Sequence, residues 1–320
     1  MPNSMELLPN ASPAFASCKS PSKYEDRLQV VVGIATRGRP EVLMQTLTGL
    51  RRQTLKPVAV LVAYPQAEDV GEAPGLFPEV IFLQSQPGLT RQRNTVLEAV
   101  PPADVLLFID DDFCLREDYL DRMLEAFAAH PEVVVTTGHL VADGINGPGL
   151  TMAEAQNILD RFRPGAEAEE STALRPVFNA YGCNMGLRIE PIRTHGLRFN
   201  EDLPLYGWYE DVEFSRQMAR FGEVVEVPGA FGVHLGVKGG RQSGVRLGYS
   251  QVANPVYLAR RGSVSWTYAL ASMCSRSSKN LVRSAWPEPF VDRRGRLWGN
   301  LRAWKELVQG TIHPQRAARL

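Results

Sequence analysis

Three consecutive aspartates, Asp110, Asp111 and Asp112, directly follow the largely apolar segment 104–109. Such a segment predicts a buried strand, so the aspartates would lie at its carboxyl end. Like charges this close raise one another's pKa unless a cation is present. Carboxylate oxygens are the ligands that Mg²⁺ and Mn²⁺ prefer, and these ions bind phosphates. The pattern indicates a metal and phosphate site; the alternative is an acidic cap on the following helix.

A second cluster, residues 206–211 (YGWYED), joins aromatic rings to carboxylates. Trp208 and Tyr209 directly precede Glu210 and Asp211. Aromatic faces can stack on the apolar faces of sugars, and a carboxylate can accept a proton from a hydroxyl nucleophile. The cluster suggests a binding platform beside a general base. The alternative is an acidic helix start with Trp208 in the core.

Short strands are predicted at 223–227 and 230–234. His234 ends the second of them and precedes a glycine-rich segment, 235–248, that carries Lys238, Arg241 and Arg246. Histidine is a common metal ligand, and cationic side chains can hold a diphosphate through charge-assisted hydrogen bonds. The alternatives are a structural histidine and a solvated linker.

Strands and helices alternate along the first part of the chain. Strands are predicted at 29–35, 58–63, 80–83, 104–109 and 133–137, and helices at about 41–52, 88–100 and 117–129. This alternation predicts an α/β domain with a mainly parallel sheet, which binds ligands beyond the carboxyl ends of its strands. Residues 36–39 and 110–112 both fall at that edge, so we expect them to share one site.

Several motifs, taken in order, resemble those of the family 2 glycosyltransferases, inverting enzymes of the GT-A fold that include many builders of bacterial polysaccharides. The matching segments are 36–40 (TRGRP), 88–94 (GLTRQRN), 108–112 (FIDDD, similar to the DxD motif), 183–186 (CNMG) and 208–211 (WYED, similar to the ED motif), followed by His234. The resemblance covers about residues 29–240. It implies a GT-A (Rossmann-like) catalytic domain, placed at residues 28–248, before a helical basic C-terminal extension at 249–320.

The resemblance also implies roles for individual residues. Asp112, Asp110 and His234 would hold a divalent metal, Mn²⁺ or Mg²⁺. Asp211 would be the catalytic base with Glu210 beside it, and Trp208 and Tyr209 would bind the acceptor. The expected donor-binding residues, including the two cations of the glycine-rich segment, are Thr36, Arg37, Arg39, Arg91, Arg93, Asp110, Asp111, Lys238 and Arg241.

The resemblance implies a metal-dependent, hexosyltransferase-like enzyme. It would transfer a sugar from a nucleotide-sugar donor, with a UDP-sugar as the first candidate, to a hydroxyl of a saccharide or lipid-linked acceptor. The pathway implied is exopolysaccharide or cell-envelope glycan synthesis.

One feature of the sequence departs from the family. Many members read uracil with an aspartate after the second strand, whereas residues 63–66 here are AYPQ, with Glu68 and Asp69 as candidate substitutes. The alternatives are a metal-dependent nucleotidyl- or phosphoryltransferase and an inactive scaffold of a polysaccharide assembly.

The 320 residues carry no net charge, but the charge is unevenly distributed. From Lys238 onward the chain has 15 Lys and Arg against 3 Asp and Glu, a net charge of +12 that is balanced by −12 elsewhere. Such a segment indicates an anionic partner. Four interspersed tryptophans favour a peripheral contact with an anionic membrane surface, and a solvated helical face is the alternative. We expect no nucleic-acid partner.

Other features concern location. The four cysteines are far apart and form no CxxC pair, which suggests a reducing compartment. The sequence shows neither a signal peptide nor an apolar run of the roughly 18 residues that span a bilayer. Residues 1–27, rich in Ser, Pro and Asn, predict a disordered leader. We therefore expect a cytoplasmic protein, peripheral at the inner face of the plasma membrane if the basic segment binds lipid.

Overall fold

The computed structural model describes residues 27–163, 173–238 and 243–320. The predicted leader, apart from Arg27, lies outside these residues. The strands are β1 (Val30–Ala35), β2 (Ala59–Tyr64), β3 (Val80–Gln84), β4 (Val105–Asp110), β5 (Phe113–Leu115), β6 (Val133–Asp143), β7 (Arg175–Pro176), β8 (Asn184–Arg188) and β9 (Glu223–His234). The first helices are α1 (Pro40–Arg51), α2 (Ala73–Leu76), α3 (Leu89–Ala99), α4 (Tyr119–Ala129) and α5 (Met152–Arg161). They are followed by α6 (Ile189–His195), α7 (Glu210–Met218), α8 (Gly244–Arg260), α9 (Trp266–Ala285) and α10 (Arg293–Val308).

The nine strands form one sheet in the order β3-β2-β1-β4-β8-β6-β9-β5, with β7 also paired to β9. Parallel pairing joins β1 to β2 and β4, β2 to β3, and β6 to β9. Because β8 is antiparallel to both β4 and β6, six strands run in one direction. The prediction of an α/β chain with a mainly parallel sheet is confirmed.

The first strand shows why the sheet is buried on both faces. Val30, Val32 and Ile34 pack in the core on one side of the sheet, whereas Val31 packs in the core on the other. Side chains alternate between the two faces of a strand, so a continuous apolar run fills both layers. The predicted apolar face of α4 is likewise buried, from Tyr119 to Phe127.

Two strands of the structure are longer than the sequence predicted. The strand predicted at 133–137 continues to Asp143, and the two predicted at 223–227 and 230–234 form the single strand β9. The pairing of β6 with β9 tolerates register shifts, one of them between Gly138 and His139. Such irregularities bend a strand without ending it, so both strands continue through them.

The C-terminal part is helical, as predicted. The expected domain boundary at residue 248 falls inside α8, which begins at Gly244. Buried residues of α8, α9 and α10 form one core cluster that also includes Leu203 and Val212. The helices therefore pack against the start of α7. Across the described ranges, none of the helices combines the length and hydrophobicity needed to span a membrane.

Helices α8 and α10 cross with their backbones in contact. Gly248 faces the carbonyl of Arg296, and Gly299 faces the carbonyl of Val245 and the backbone nitrogen of Tyr249. A Cβ at either glycine would overlap these backbone atoms, which cannot move as a flexible side chain can. The close approach therefore depends on glycine at both positions.

We predict that Gly248→Ala lowers the free energy of unfolding by roughly 1–3 kcal/mol because the helices must separate. Gly49→Ala is the matched control, since Gly49 lies in α1 with open space around it. That substitution should stabilise the protein by about 0.5–1 kcal/mol through the higher helix propensity of alanine. Urea unfolding measures both changes, and shifts of the same sign in the two variants would contradict the prediction.

Candidate active site

The carboxyl ends of β1 and β4 lie side by side, with Ala35 paired to Asp110. The residues that follow the two strands therefore share one edge, as expected. Asp110 keeps 19 % of its side chain exposed, whereas Asp111 and Asp112 are buried. The three aspartates thus point into different surroundings.

Asp111 lies behind the edge and is fully buried. Its carboxylate accepts hydrogen bonds from Thr36 Oγ1 (2.7 Å) and from the guanidinium of Arg39. Burial raises the pKa of Asp111 to about 7, although Arg39 acts in the opposite direction. Asp111 therefore holds the loop after β1 against the end of β4.

Asp110, Asp112 and His234 come together at the open side of this edge. One ligand atom from each lies within 4.8 Å of the other two. His234 Nε2 is 3.5 Å from Asp112 Oδ1 and 4.0 Å from Asp110 Oδ2. Two carboxylate oxygens and an imidazole nitrogen form a donor set that suits Mn²⁺ or Mg²⁺, so the residues present fit a divalent metal.

Each of these three residues also has a second side-chain atom that forms hydrogen bonds with other residues. Asp110 Oδ1 accepts a hydrogen bond from Arg93 (3.4 Å), and Asp112 Oδ2 accepts from Arg39 (3.1 Å) and the backbone nitrogen of Val237 (2.9 Å). Burial would raise the pKa of Asp112, but His234 and Arg39 outweigh it and bring the pKa to about 2. Metal sites commonly orient their ligands in this way.

His234 is oriented by Asp143, a residue that we did not predict. Asp143 Oδ1 lies 2.9 Å from His234 Nδ1, and Asp143 Oδ2 accepts a hydrogen bond from the Tyr181 hydroxyl (3.1 Å). An ionised carboxylate can only accept, so Nδ1 carries the hydrogen, and Nε2 faces the two aspartates.

The position of Asp143 follows from the strands. Asp143 is the residue of β6 that pairs with His234 of β9. The chain turns at Gly144, and Lys238 Nζ donates to the carbonyls of Gly144 (3.3 Å) and Ile145 (2.9 Å). We did not predict Asp143 because the strand that became β6 was predicted to end at residue 137. Asp143 directly precedes Gly144 and follows an apolar segment, and this position could have indicated it as a residue at a strand end.

The carboxylates at the start of α7 meet the same edge through Arg93. Arg93 is 2 % exposed and donates to Glu210 Oε2 (2.7 Å) as well as to Asp110. It also donates to the carbonyl of Gly182 (2.7 Å). Burial raises the pKa of Glu210 to about 8, against the effect of Arg93. This arginine therefore links the two predicted motifs.

Asp211 is partly buried and held by backbone groups. Its oxygens accept hydrogen bonds from the backbone nitrogens of Gly182 (3.1 Å) and Val212 (2.8 Å). Burial raises the pKa of Asp211 above its ordinary value, although these hydrogen bonds lower it. A carboxylate with a raised pKa binds a proton more readily, which suits a general base.

Trp208 and Tyr209 form a half-buried wall beside Asp211. Tyr209 has a left-handed backbone (φ 73°), which is uncommon for a residue other than glycine. Its hydroxyl contacts Ser272 Oγ of α9, and the guanidinium of Arg276 lies 5.4 Å from the ring centre of Trp208. The C-terminal helices therefore help to hold the aromatic wall.

Not all predicted donor-binding cations lie in this cluster. Arg37 is exposed. Arg91 turns towards Gln86 (3.0 Å) and Glu201 (3.6 Å), and Arg241 lies outside the described residues. Their roles stay predictions.

The candidate substitutes for the uracil-reading aspartate differ in their surroundings. Asp69 is buried and accepts hydrogen bonds from the backbone nitrogens of Gly38 (2.7 Å) and Gln66 (2.9 Å). Glu68 is exposed. Asp69 thus ties the loop after β2 to the loop after β1.

Comparisons with known proteins bear on the family and the fold. The family model described as "Glycosyl transferase family 2" matches residues 31–196. The solved structure of GalNAc-T7 with UDP, GalNAc and Mn²⁺ has a TM-score of 0.55 and 16 % identity, covering 89 % of this chain and 56 % of that chain. This similarity confirms the predicted fold class.

Two structures of the 1–349 fragment of TarS from S. aureus are also similar. The fragment alone gives a TM-score of 0.48 at 14 % identity, and its complex with UDP-GlcNAc gives 0.48 at 15 %. Each alignment covers 88 % of this chain and 92 % of that chain. A search of curated proteins found no match.

We predict that Asp143→Asn weakens Mn²⁺ binding by about 10–100-fold, the usual cost of losing a partner that orients a metal-ligating histidine. An amide can present its NH₂ group to Nδ1 and so fails to fix the imidazole. Electron paramagnetic resonance of free Mn²⁺ measures the affinity without any turnover. Asp160→Asn is the control, since Asp160 is exposed on α5. Equal affinities in both variants would show that Asp143 does not orient His234.

Proposed function

Because the chain belongs to glycosyl transferase family 2, we propose that it transfers a sugar from a nucleotide-diphosphate donor, a UDP-sugar, to a hydroxyl group of a saccharide or lipid-linked acceptor, with inversion at the anomeric carbon. One observation carries the proposal. The triad of Asp110, Asp112 and His234, whose donor atoms fit a divalent metal, lies at the same sheet edge as the neighbouring carboxylates Glu210 and Asp211, and the buried Arg93 joins Asp110 to Glu210.

The donor diphosphate would lie at the triad. Asp110 and Asp112 would ligate the ion through the oxygens that face His234, while their other oxygens stay on Arg93 and Arg39. When bound, the divalent ion would neutralise negative charge on the leaving diphosphate. We propose that Asp111 positions the loop at Thr36, because its carboxylate is buried and already hydrogen-bonded.

The acceptor hydroxyl would lie at Asp211. Asp211 would take the hydroxyl proton while the acceptor oxygen forms a bond to the anomeric carbon. The bond from that carbon to the diphosphate oxygen breaks, and the nucleoside diphosphate leaves with the electron pair. Glu210, held by Arg93, would keep Asp211 in place from the neighbouring position. General-base assistance of this kind contributes on the order of 10²–10⁴-fold.

The acceptor sugar would stack on the aromatic wall. Trp208 and Tyr209 directly precede the two carboxylates, and their rings lie 5.3 Å apart. Aromatic faces and a base in one place suit a sugar hydroxyl better than a phosphate nucleophile. This favours glycosyl transfer over nucleotidyl or phosphoryl transfer. Nucleotidyl transfer would release pyrophosphate, and phosphoryl transfer would leave a phosphate on the acceptor in place of a sugar.

We propose that the nucleobase of the donor is uracil. Asp69 is already engaged by two backbone nitrogens, so UDP is proposed from the family and from the UDP in the GalNAc-T7 structure. We propose a cytoplasmic role in exopolysaccharide or cell-envelope glycan synthesis. A screen of nucleotide-sugars by thermal shift with Mn²⁺, followed by mass spectrometry of products, identifies the donor.

We predict that Asp211→Asn slows sugar transfer by about 10²–10⁴-fold and leaves Mn²⁺-dependent UDP binding unchanged. Asparagine keeps the shape of the side chain but cannot take the proton. Asp112→Asn should instead lose UDP binding in the presence of Mn²⁺, and sugar transfer should fall with it. Calorimetry measures binding, and release of UDP measures transfer.

Asp160→Asn is again the control and should behave like the wild type in both assays. Transfer at the wild-type rate by the Asp211→Asn variant would show that another group is the base. Unchanged UDP affinity in the Asp112→Asn variant would exclude Asp112 as a metal ligand.

A further inference from the structure

The C-terminal helices form an outer layer on the protein. Helix α8 is largely buried, and both α9 and α10 pack against it. Trp304 Nε1 of α10 donates to Ser277 Oγ of α9 (3.0 Å), and Arg294 Nε donates to the carbonyl of Ser284 (3.3 Å). The two helices therefore lie side by side, and their outward faces with the loop between them form one surface, here called the outer face.

The outer face is unusually apolar for a surface. Fifteen large apolar side chains are exposed in the described chain, and nine of them lie beyond residue 265. Trp286, Trp298 and Val308 are 78 %, 68 % and 87 % exposed. The other six are Trp266, Leu270, Leu281, Val282, Phe290 and Leu301. Contiguous exposed apolar surface usually marks an interaction site.

Cationic side chains are placed among these apolar ones. On α10 the exposed residues Arg294, Trp298, Leu301, Lys305 and Val308 recur at spacings of three and four residues, so they share one face. On α9, Lys279 is also exposed. Within the described part of the chain, Lys279, Arg294 and Lys305 form no ion pair with a carboxylate. The outer face therefore combines unpaired positive charge with exposed tryptophan.

We propose that the outer face binds the surface of an anionic bilayer. Helices that lie in a membrane interface carry Trp, Phe and Leu on the buried side with Lys and Arg around them. The tryptophan rings would enter the headgroup region, and the cations would reach lipid phosphates. A second copy of the chain would bring like charges together. A nucleic acid would match the cations but leave the apolar side chains exposed to water.

The outer face adjoins the proposed acceptor side. Helix α9 carries Ser272 and Arg276, which contact Tyr209 and Trp208. A protein docked through α9 and α10 would therefore receive an amphiphilic acceptor from the same lipid surface. This consequence for the acceptor rests on the proposed function, whereas bilayer binding itself does not.

Cosedimentation with lipid vesicles tests the proposal, using vesicles of phosphatidylcholine alone and vesicles that also contain phosphatidylglycerol. We expect the full chain to sediment with the anionic vesicles, to bind the neutral ones at least about tenfold more weakly, and to lose binding as salt is raised. Trp286→Ser/Trp298→Ser should weaken binding by roughly tenfold or more. Lys279→Gln/Arg294→Gln/Lys305→Gln should weaken it by roughly a hundredfold at low salt.

Val58→Ser/Leu76→Ser is the control, because these apolar residues are also more than half exposed but lie outside the C-terminal helices. It should bind vesicles like the wild type, and so should Asp112→Asn, which separates this test from the proposed activity. Thermal unfolding confirms that each variant is folded.

No sedimentation, or equal sedimentation of the tryptophan variant and the control, would overturn the proposal. Self-association or RNA binding that the tryptophan variant abolishes, without vesicle binding, would overturn it in favour of those partners.

Discussion

The site depends on two guanidinium groups, one buried and one largely buried, that allow four carboxylates to gather at one sheet edge. Arg39 binds Asp111 and Asp112, and Arg93 binds Asp110 and Glu210. Without these cations the carboxylates would repel one another more strongly, and burial would raise their pKa values further. Each arginine comes from an element other than those of its partners, so the charge balance also fixes the positions of the loop after β1, the end of β4 and the start of α7.

The fold was predictable because its signals are local and strong. A strand such as β1, buried on both faces, requires a continuous apolar run, and α4 requires an apolar face at helical spacing; both patterns are clear in the sequence. The end of β6 and the continuity of β9 were not predictable in the same way. Their lengths depend on a pairing with shifted register, and a shift between two distant strands leaves no mark on the periodicity of either.

The residues of the candidate site also differ in how far the sequence could predict them. Asp110, Asp112, His234 and Asp211, the proposed metal ligands and base, follow strands or open a helix, so their types and positions made them candidates. Arg39, Arg93 and Asp143 act through partners that are distant in sequence, and a sequence does not state which carboxylate a cation will meet. Arg93 was predicted to bind the donor, but the structure places it between Asp110 and Glu210. An arginine in a motif is thus a weak guide to its partner.

The proposed donor and acceptor sides of the site are stabilised by different forces, and this has a consequence for the proposed reaction. The proposed donor side is held by ion pairs within the sheet edge, where removal of one partner leaves a buried charge. The proposed acceptor side is held by α8 and α9 through Asn254 on the carbonyl of Trp208, Ser272 on Tyr209 and Arg276 over the Trp208 ring, and these contacts among the described residues include no ion pair. Such contacts can change one at a time at small cost. Acceptor choice can therefore vary with the C-terminal helices while the carboxylate cluster, and the chemistry that it supports, stays the same.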